Sequence, residues 1–422
     1  MSLALTHGDH STTAIGRAPN PSDPRSDADV RPTRHWYQPF HLPRRGVGRH
    51  RRWRHGTCLR PATPSIATYG TRYLSLTVIV PAYNEEVGLP DTIAALHRQT
   101  VPPDEIIVVD DCSTDRTREI GLAHGVAVLT PPRNLGSKAR AQNYALQHCT
   151  THLVLPVDGD TILADDYIER IKQPFQDPRV MVAAGCVRTR YQKTIWEKGR
   201  EIEYLFGFHW FRPVQNATNA PVVCSGCCSA FHRGQLIEAG GFPERTMVED
   251  IDWTWTQQIA GFRAVYVADA VAYAAEPDST KYLRKQLWRW KSGWFQNVRR
   301  HSTSMIRRKP WLALWVGLSL LEILISPFSV ALPLVWLFVL HHAAQDVFLW
   351  WAFGELALMG PPLAYAMVKR RVNPLKVLWM YPSFYALKMF NFYYDWKAMF
   401  VELVLVPLRL AEGLTQYEKG HA

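Results

Sequence analysis

Between residues 74 and 160 the chain repeats one pattern three times: an apolar, β-branched run of strand length stops at a polar cluster. Residues 74–80 stop at Pro81-Ala82-Tyr83-Asn-Glu85, residues 105–109 at Asp110-Asp111, and residues 152–157 at Asp158-Gly159-Asp160. Helix-spaced segments over 89–98, 116–124 and 138–147 separate them, and 125–129 reads as a further short strand. Runs that are apolar throughout suit strands buried on both faces. Strands that alternate with helices imply an α/β fold with a parallel sheet and right-handed crossovers. In such sheets ligands gather at the carboxyl ends of the strands. The three polar clusters are therefore expected on one edge of one sheet.

The rest of the chain differs in composition. Residues 1–72 hold twelve Arg, no Lys and four Asp among many Pro, Ser and Thr. Such a segment buries too little apolar surface to offset its ordering entropy, so a disordered basic tail is expected. Its run Arg44-Arg45-Gly-Val-Gly-Arg49-His-Arg51-Arg52-Trp53-Arg54 suits anionic lipid headgroups, and no nucleic-acid fold signature accompanies it. No secretory signal peptide is expected from the N-terminal residues. Seven Cys at irregular spacing argue for a reducing compartment and against a disulfide framework. Beyond residue 310, segments 311–340 and 346–368 are long and apolar enough to span a bilayer, and 375–410 offers at most one more span. Arg307-Arg308-Lys309 and Lys369-Arg370-Arg371 flank them, which places these ends, and the part before them, in the cytoplasm, with His341-His342 outside. The expected organisation is a tail over 1–72, a catalytic domain over 73–275, interfacial helices over 276–310, a transmembrane region over 311–412 and a short tail over 413–422.

Four motifs carry chemistry. Asp158-Gly159-Asp160 puts two carboxylates on a tight turn after a strand, a hard oxygen pair suited to Mg²⁺ or Mn²⁺ bound together with substrate phosphates. Asp110-Asp111-Cys-Ser-Thr-Asp115 can accept hydrogen bonds from a base or ribose, and Ser113 or Thr114 can also start the next helix. Glu249-Asp250 opens a helix with Trp253 and Trp255. An Asp there can take a proton from an acceptor hydroxyl, or can simply favour the helix dipole. Residues 281–300 read as a helix with Leu283, Leu287, Trp290, Trp294 and Val298 along one face and Lys281, Arg284, Lys285, Arg289 and Lys291 near the other, the pattern of a helix lying in a bilayer surface. Cys224-Ser-Gly226-Cys227-Cys228 lacks a partner pair or His cluster at zinc spacing and reads as a small-residue loop beside a bound sugar.

Together these residues resemble family 2 glycosyltransferases, specifically the membrane-bound branch of cellulose, chitin, hyaluronan and poly-N-acetylglucosamine synthases. The similarity spans roughly residues 75–300. Val80-Pro-Ala-Tyr-Asn-Glu85 resembles the opening nucleotide-pocket motif, Val108-Val-Asp-Asp111 the uridine-binding carboxylates, and Lys138-Ala-Arg-Ala-Gln-Asn143 the segment whose Lys faces the nucleotide. Gly226 to Phe242 resembles the acceptor-side loop and helix. Val248-Glu249-Asp250 stands where the family usually carries Thr-Glu-Asp, and Gln286-Leu-Trp-Arg289-Trp290 matches the Gln-x-x-Arg-Trp box in full.

The resemblance implies a GT-A fold, a Rossmann-like mixed sheet flanked by helices, and a UDP-sugar donor of the glucose or N-acetylglucosamine type. It implies a metal at Asp158 and Asp160 on the diphosphate, Gln286 and Arg289 beside the donor, and Asp250 as base, with Glu249 next to it. Trp290, Cys224 and Gly226 would face the acceptor. Displacement with inversion would then build a β-linked polysaccharide at the plasma or inner membrane. The family often carries further membrane helices before the catalytic part, and this sequence shows none there. Either an oligomer or an export partner completes a channel, or one or a few sugars pass to a lipid-linked acceptor.

Overall fold

The computed structural model describes residues 73–341 and 343–413, with the side chains of 329–331 excepted. The basic tail, His342 and most of the C-terminal tail lie outside the described residues. The first half of the chain holds β1 (Leu76–Ala82), α1 (Leu89–His97), β2 (Glu105–Asp110), α2 (Thr117–Ala123), β3 (Ala127–Leu129), α3 (Lys138–Leu146) and β4 (Leu153–Pro156). Then come β5 (Ile162–Leu163), α4 (Tyr167–Lys172), β6 (Val180–Thr189), α5 (Ile195–Phe206), α6 (Arg212–Ala217), β7 (Ser229–His232) and α7 (Arg233–Glu238). They are followed by α8 (Glu249–Ile259), β8 (Arg263–Ala274) and the long helices α9 (Thr280–Arg308), α10 (Pro310–Phe338), α11 (Ala344–Arg370) and α12 (Pro374–Phe400).

The eight strands form one sheet in the order β3-β2-β1-β4-β7-β6-β8-β5. The half built from β1 to β4 is parallel, as the strand–helix alternation requires. The other half is mixed: β7 runs antiparallel to both β4 and β6, β5 is antiparallel to β8, and β6 pairs in parallel with β8. The sheet is thus mixed, as the resemblance implies: parallel among β1 to β4 and mixed beyond them.

Alternation along the strands sorts the core into two faces. Val78, Val80 and Leu155 pack with α1 and α4, whereas Ile79, Val109 and Val154 pack with α3 and Trp253 of α8. Both faces are covered, which explains why these strands carry no polar alternation.

The helix starts have local causes. Thr194 and Glu197 form a reciprocal capping box at α5, Ser137 caps α3, and Ser279 caps α9. A π-helical turn at Gly207–Phe211 joins α5 to α6.

α9 covers the expected 281–300 segment and runs eight residues further. Leu283, Leu287 and Val298 are buried as expected, and Trp290 and Trp294 are partly buried. The basic side also meets protein: Lys291 pairs with Asp395 at 2.9 Å, and Arg284 donates to Tyr394 at 3.1 Å. α12 therefore covers part of the face expected to meet lipid. α10 and α11 are long and apolar enough to cross a membrane.

Candidate active site

The loops after β1, β2 and β4 meet at one sheet edge. Ala82 lies beside Asp110 in the parallel ladder, and the Asp111 amide donates to the Ala82 carbonyl at 2.9 Å. Asn84, with φ of 54°, takes the left-handed turn that Asn tolerates. It locks the first loop to the second: its Oδ1 accepts from the Thr114 amide at 2.8 Å, and its own amide donates to Ser113 Oγ at 3.0 Å. The Glu85 amide donates to Thr117 Oγ1 at 2.8 Å.

The first loop also sits against the Asp158-Gly159-Asp160 turn. A Cβ on Gly159 would lie 2.8 Å from Glu85 Cγ, and a Cβ on Gly88 would lie 2.9 Å from Asp160 Cα. Glycine is required at both positions by close approach. Pro81 and Ala82 end β1, and Tyr83 follows in the same partly exposed loop.

The two acidic residues after β2 have different surroundings. Asp110 is buried, and its Oδ1 accepts from the Ser113 amide at 3.0 Å. Asp111 Oδ1 accepts from the Leu135 amide at 2.7 Å, so this carboxylate holds the loop before α3. Burial pushes the Asp111 carboxyl above its ordinary value, against the pull of the Leu135 and Gly136 amides.

The centre of the site is the Gly226 peptide. Its N–H donates to Asp250 Oδ2 at 2.7 Å, and its carbonyl accepts from Lys138 Nζ at 3.1 Å. Lys138 also pairs with Asp158. Burial disfavours the Lys138 ammonium, but Asp158 and Glu249 outweigh that and hold its pKa above the ordinary lysine value. Asp250 Oδ1 accepts from the Ile251 amide at 2.8 Å, so both carboxylate oxygens are oriented. Glu249 is buried and its carboxyl is pushed up, by burial first and by Asp250 second, while Lys138 and Arg289 pull the other way.

Of the loop residues expected near the acceptor, Gly226 touches Asp250 directly. Cys224 is fully buried in the core, where burial pushes its thiol up to about 12. Its side chain supports the loop from beneath. Cys224, Cys227 and Cys228 are all free thiols.

Asp158 and Asp160 are partly exposed on their turn. They fit a hard divalent cation that completes its shell with phosphates and water, and the Lys138 ammonium shows that Asp158 attracts positive charge at that spot. No cluster of three or more His, Cys, Asp or Glu suited to enclosing a metal occurs among the described residues.

Behind the site, α9 clamps the segment before Glu249. Gln296 accepts from the Met247 amide at 3.0 Å, and Asn297 donates to Thr246 Oγ1 and to the Val248 carbonyl. A Cβ on Gly293 would fall 2.7 Å from Val248 Cγ2 and 3.0 Å from the Val248 amide nitrogen. Overpacking of about 1–3 kcal/mol should outweigh the roughly 1 kcal/mol that alanine gains in a helix. Gly293→Ala is therefore expected to lower the melting temperature and to slow turnover by displacing Glu249 and Asp250. An unchanged melting temperature would show that α9 is not seated this closely.

Asp252, two residues past the acidic pair, was not legible as a site residue. It is fully buried, pairs with Arg245 through both oxygens at 2.7 and 2.8 Å, and meets His301 Nε2 at 2.7 Å. Burial alone would raise its carboxyl, but the Arg245 and His301 bonds lower it to about 2. A carboxyl depressed in the folded state stabilises the fold above its unfolded pKa and loses that contribution as pH falls through the folded one. The window here is about pH 4 to 2. Asp252→Asn should cost roughly 2–3 kcal/mol at neutral pH, discounted because Arg245 is half-exposed. Melting temperatures of both proteins across pH should converge toward pH 2, and a constant gap would deny the ion pair its role.

Residues 77–239 match the family model described as glycosyl transferase family 2. This stretch is thus similar to a family 2 glycosyltransferase domain. The chain is 32% identical over 256 residues to an N-acetylglucosaminyltransferase of Mesorhizobium japonicum, covering 56% of this chain and 60% of that one. It is 26% identical over 239 residues to a poly-β-1,6-N-acetyl-D-glucosamine synthase of Staphylococcus epidermidis, covering 56% and 58%. The chain thus spans about 60% of the length of these curated relatives. In structure it is similar to a mannosyltransferase of Pyrobaculum calidifontis solved with GDP-Man and Mn²⁺, with a TM-score of 0.51, 21% identity, and coverage of 81% of this chain and 88% of that one. That likeness supports the GT-A fold.

The Gln-x-x-Arg-Trp box lies on α9. Gln286 is buried, Arg289 and Trp290 are partly buried, and Arg289 acts electrostatically on Glu249. Arg200 of α5 reaches the same box, although nothing in its local sequence singled it out. The Thr194-x-x-Glu197 capping box announces its helix, yet its partners lie 86 and 76 residues downstream.

Proposed function

We propose that this chain is a glycosyltransferase that moves N-acetylglucosamine from UDP-N-acetylglucosamine to a saccharide hydroxyl at a membrane surface, with inversion, extending a β-linked polysaccharide. The observation that carries this reading is the Gly226 peptide, which ties the candidate base Asp250 to Lys138 and, through Lys138, to Asp158. A proton acceptor and a diphosphate-binding edge then lie on the two sides of one peptide, the spacing a direct displacement needs.

In the reaction the acceptor oxygen attacks the anomeric carbon. The bond from that carbon to the UDP oxygen breaks, and its electron pair leaves with UDP. The hydroxyl proton passes to Asp250. Asp250 suits the base role because it is partly exposed and oriented by two amides, whereas Glu249 is buried. Lys138 holds positive charge beside the diphosphate, where negative charge grows in the transition state. Asp158 and Asp160 would hold Mg²⁺ or Mn²⁺, which supplies further charge stabilisation when bound. Asp110 and the loop of Tyr83 and Glu85 suit the nucleoside, and Trp290 offers a flat face to the acceptor sugar.

Support for the sugar comes from the relatives named for N-acetylglucosamine. Support for the membrane comes from α10 and α11, which leave Leu314, Leu318, Leu321, Phe348, Phe353 and Leu356 exposed. Arg370 at the end of α11 bonds His209 at 3.0 Å and the Ala268 carbonyl, so this basic end belongs on the catalytic side, the cytoplasmic one by charge.

The full chain in lipid vesicles, given radiolabelled UDP-N-acetylglucosamine, UDP-glucose, UDP-glucuronate, UDP-galactose and GDP-mannose in turn, tests this reading. The expected result is label from UDP-N-acetylglucosamine in a hexosaminidase-sensitive polymer. Faster transfer from another donor overturns the sugar, and a single labelled lipid product overturns the polymer.

A further inference from the structure

Arg200 is a charged side chain with 3% of its surface exposed, and it stands outside every sequence motif. Its Nη1 lies 2.5 Å from Glu203 Oε2, its Nη2 donates to Gln286 Oε1 at 3.1 Å, and its Nε lies 3.4 Å from Glu276 Oε2. Its guanidinium carbon sits 5.1 Å from the centre of the Trp290 ring. Glu276 is held in turn by the Tyr204 hydroxyl at 2.6 Å.

A buried guanidinium needs charge partners, and Glu203 and Glu276 already meet that need. The remaining contacts go to two members of the Gln-x-x-Arg-Trp box, Gln286 and Trp290, one turn apart on α9. A planar, rigid fork fixes all these directions together, which an ammonium cannot do. Neighbouring packing keeps the fork in place: a Cβ on Gly199 would lie 2.5 Å from the Ser383 carbonyl oxygen of α12, so α5 is seated directly on that helix.

We propose that Arg200 is a positioning residue that, anchored through the Gln286 amide, fixes the Trp290 ring for the acceptor sugar. The proposal rests on the acceptor role given to Trp290 above. Among the described residues Arg200 makes no hydrogen bond or ion pair with the Gly226 peptide, Lys138 or Asp158, so its loss should leave the groups proposed to bind the diphosphate in place.

The test uses the full chain in vesicles with UDP-N-acetylglucosamine and a β-linked N-acetylglucosamine tetrasaccharide as acceptor. Arg200→Lys and Arg200→Met are compared with Arg188→Met, which breaks another ion pair made by α5, that of Glu201 with the partly buried Arg188 of β6. A misplacement of about an ångström can cost on the order of 100-fold. Arg200→Met is therefore expected to lose roughly ten- to 100-fold in transfer, to raise KM for the acceptor, and to release more UDP per sugar transferred. UDP affinity should stay near that of the unchanged chain, and Arg200→Lys should be intermediate. Arg188→Met should lower the melting temperature yet keep UDP release and transfer in step. Normal coupling and acceptor KM in Arg200→Lys and Arg200→Met, or uncoupling that Arg188→Met reproduces, overturns the proposal. Absence of transfer by the unchanged chain overturns the functional reading itself.

Discussion

Asp250→Asn is expected to lose sugar transfer by at least the roughly 10²–10⁴-fold that general-base catalysis supplies, while UDP affinity stays close to that of the unchanged chain. The substitution keeps size but removes the group that takes the proton. It also puts an amide NH₂ opposite either the Gly226 N–H or the Ile251 N–H, because both carboxylate oxygens now accept. One lost hydrogen bond beside a buried donor costs about 1–3 kcal/mol, so a modest drop in melting temperature is expected as well. Lys138 and Asp158 remain paired, and they serve the nucleotide side. Measuring transfer, UDP affinity and melting temperature on one preparation separates the roles. If Asp250 only caps α8, stability and UDP binding fall together and the rate loss is moderate. Near-normal transfer would move the base elsewhere, with Glu249 next, although Glu249 is buried and less open to an acceptor.

Chelation by EDTA, or Asp160→Ala in buffer with Mn²⁺, is expected to bring transfer to background. The reason is charge. Asp158 and Asp160 face the position proposed for a diphosphate, and Lys138 pairs with Asp158. Adding a polyanion beside two carboxylates is unfavourable unless further positive charge comes with it. UDP binding should therefore tighten on adding Mn²⁺ to the unchanged chain and respond little in Asp160→Ala. Calorimetric titration of UDP with and without Mn²⁺ reads this directly, independently of turnover. Full turnover in excess EDTA would leave the charge balance to Lys138 and its neighbours and would sink the metal role.

In the parallel half of the sheet β1, β2 and β4 were legible because each is short, mainly apolar and largely buried on both faces. The observed β1, β2 and β4 fall within about two residues of the runs 74–80, 105–109 and 152–157. The starts of α9 to α12 were similarly open to reading, since a long apolar or amphipathic helix writes its period into one stretch of chain, whereas α9 ends eight residues beyond the expected segment and α12 ends ten residues before it. The antiparallel β7 and the short β5 were not legible: four and two residues carry almost no period, and their pairing is decided by β4, β6 and β8.

The same division holds at the site. Residue types and their place after strands pointed to Asp110, Asp158 and Asp160, and the start of a helix pointed to Asp250. The difference between neighbours inside each acidic pair did not show. Asp111 turns to the Leu135 amide and Glu249 into the protein interior, while Asp250 stays accessible, and these outcomes depend on loops 24 residues away in sequence. By itself the sequence determined the α/β pattern, the acidic clusters at strand ends and the apolar C-terminal helices, because each is a property of a few consecutive residues. Only the tertiary structure decided that Gly226 bridges Asp250 to Lys138, that Asp252 is locked between Arg245 and His301, and that Arg200 meets Gln286 and Trp290. Those contacts join residues up to 90 positions apart, and side-chain direction at such separations is set by packing, which no local pattern encodes.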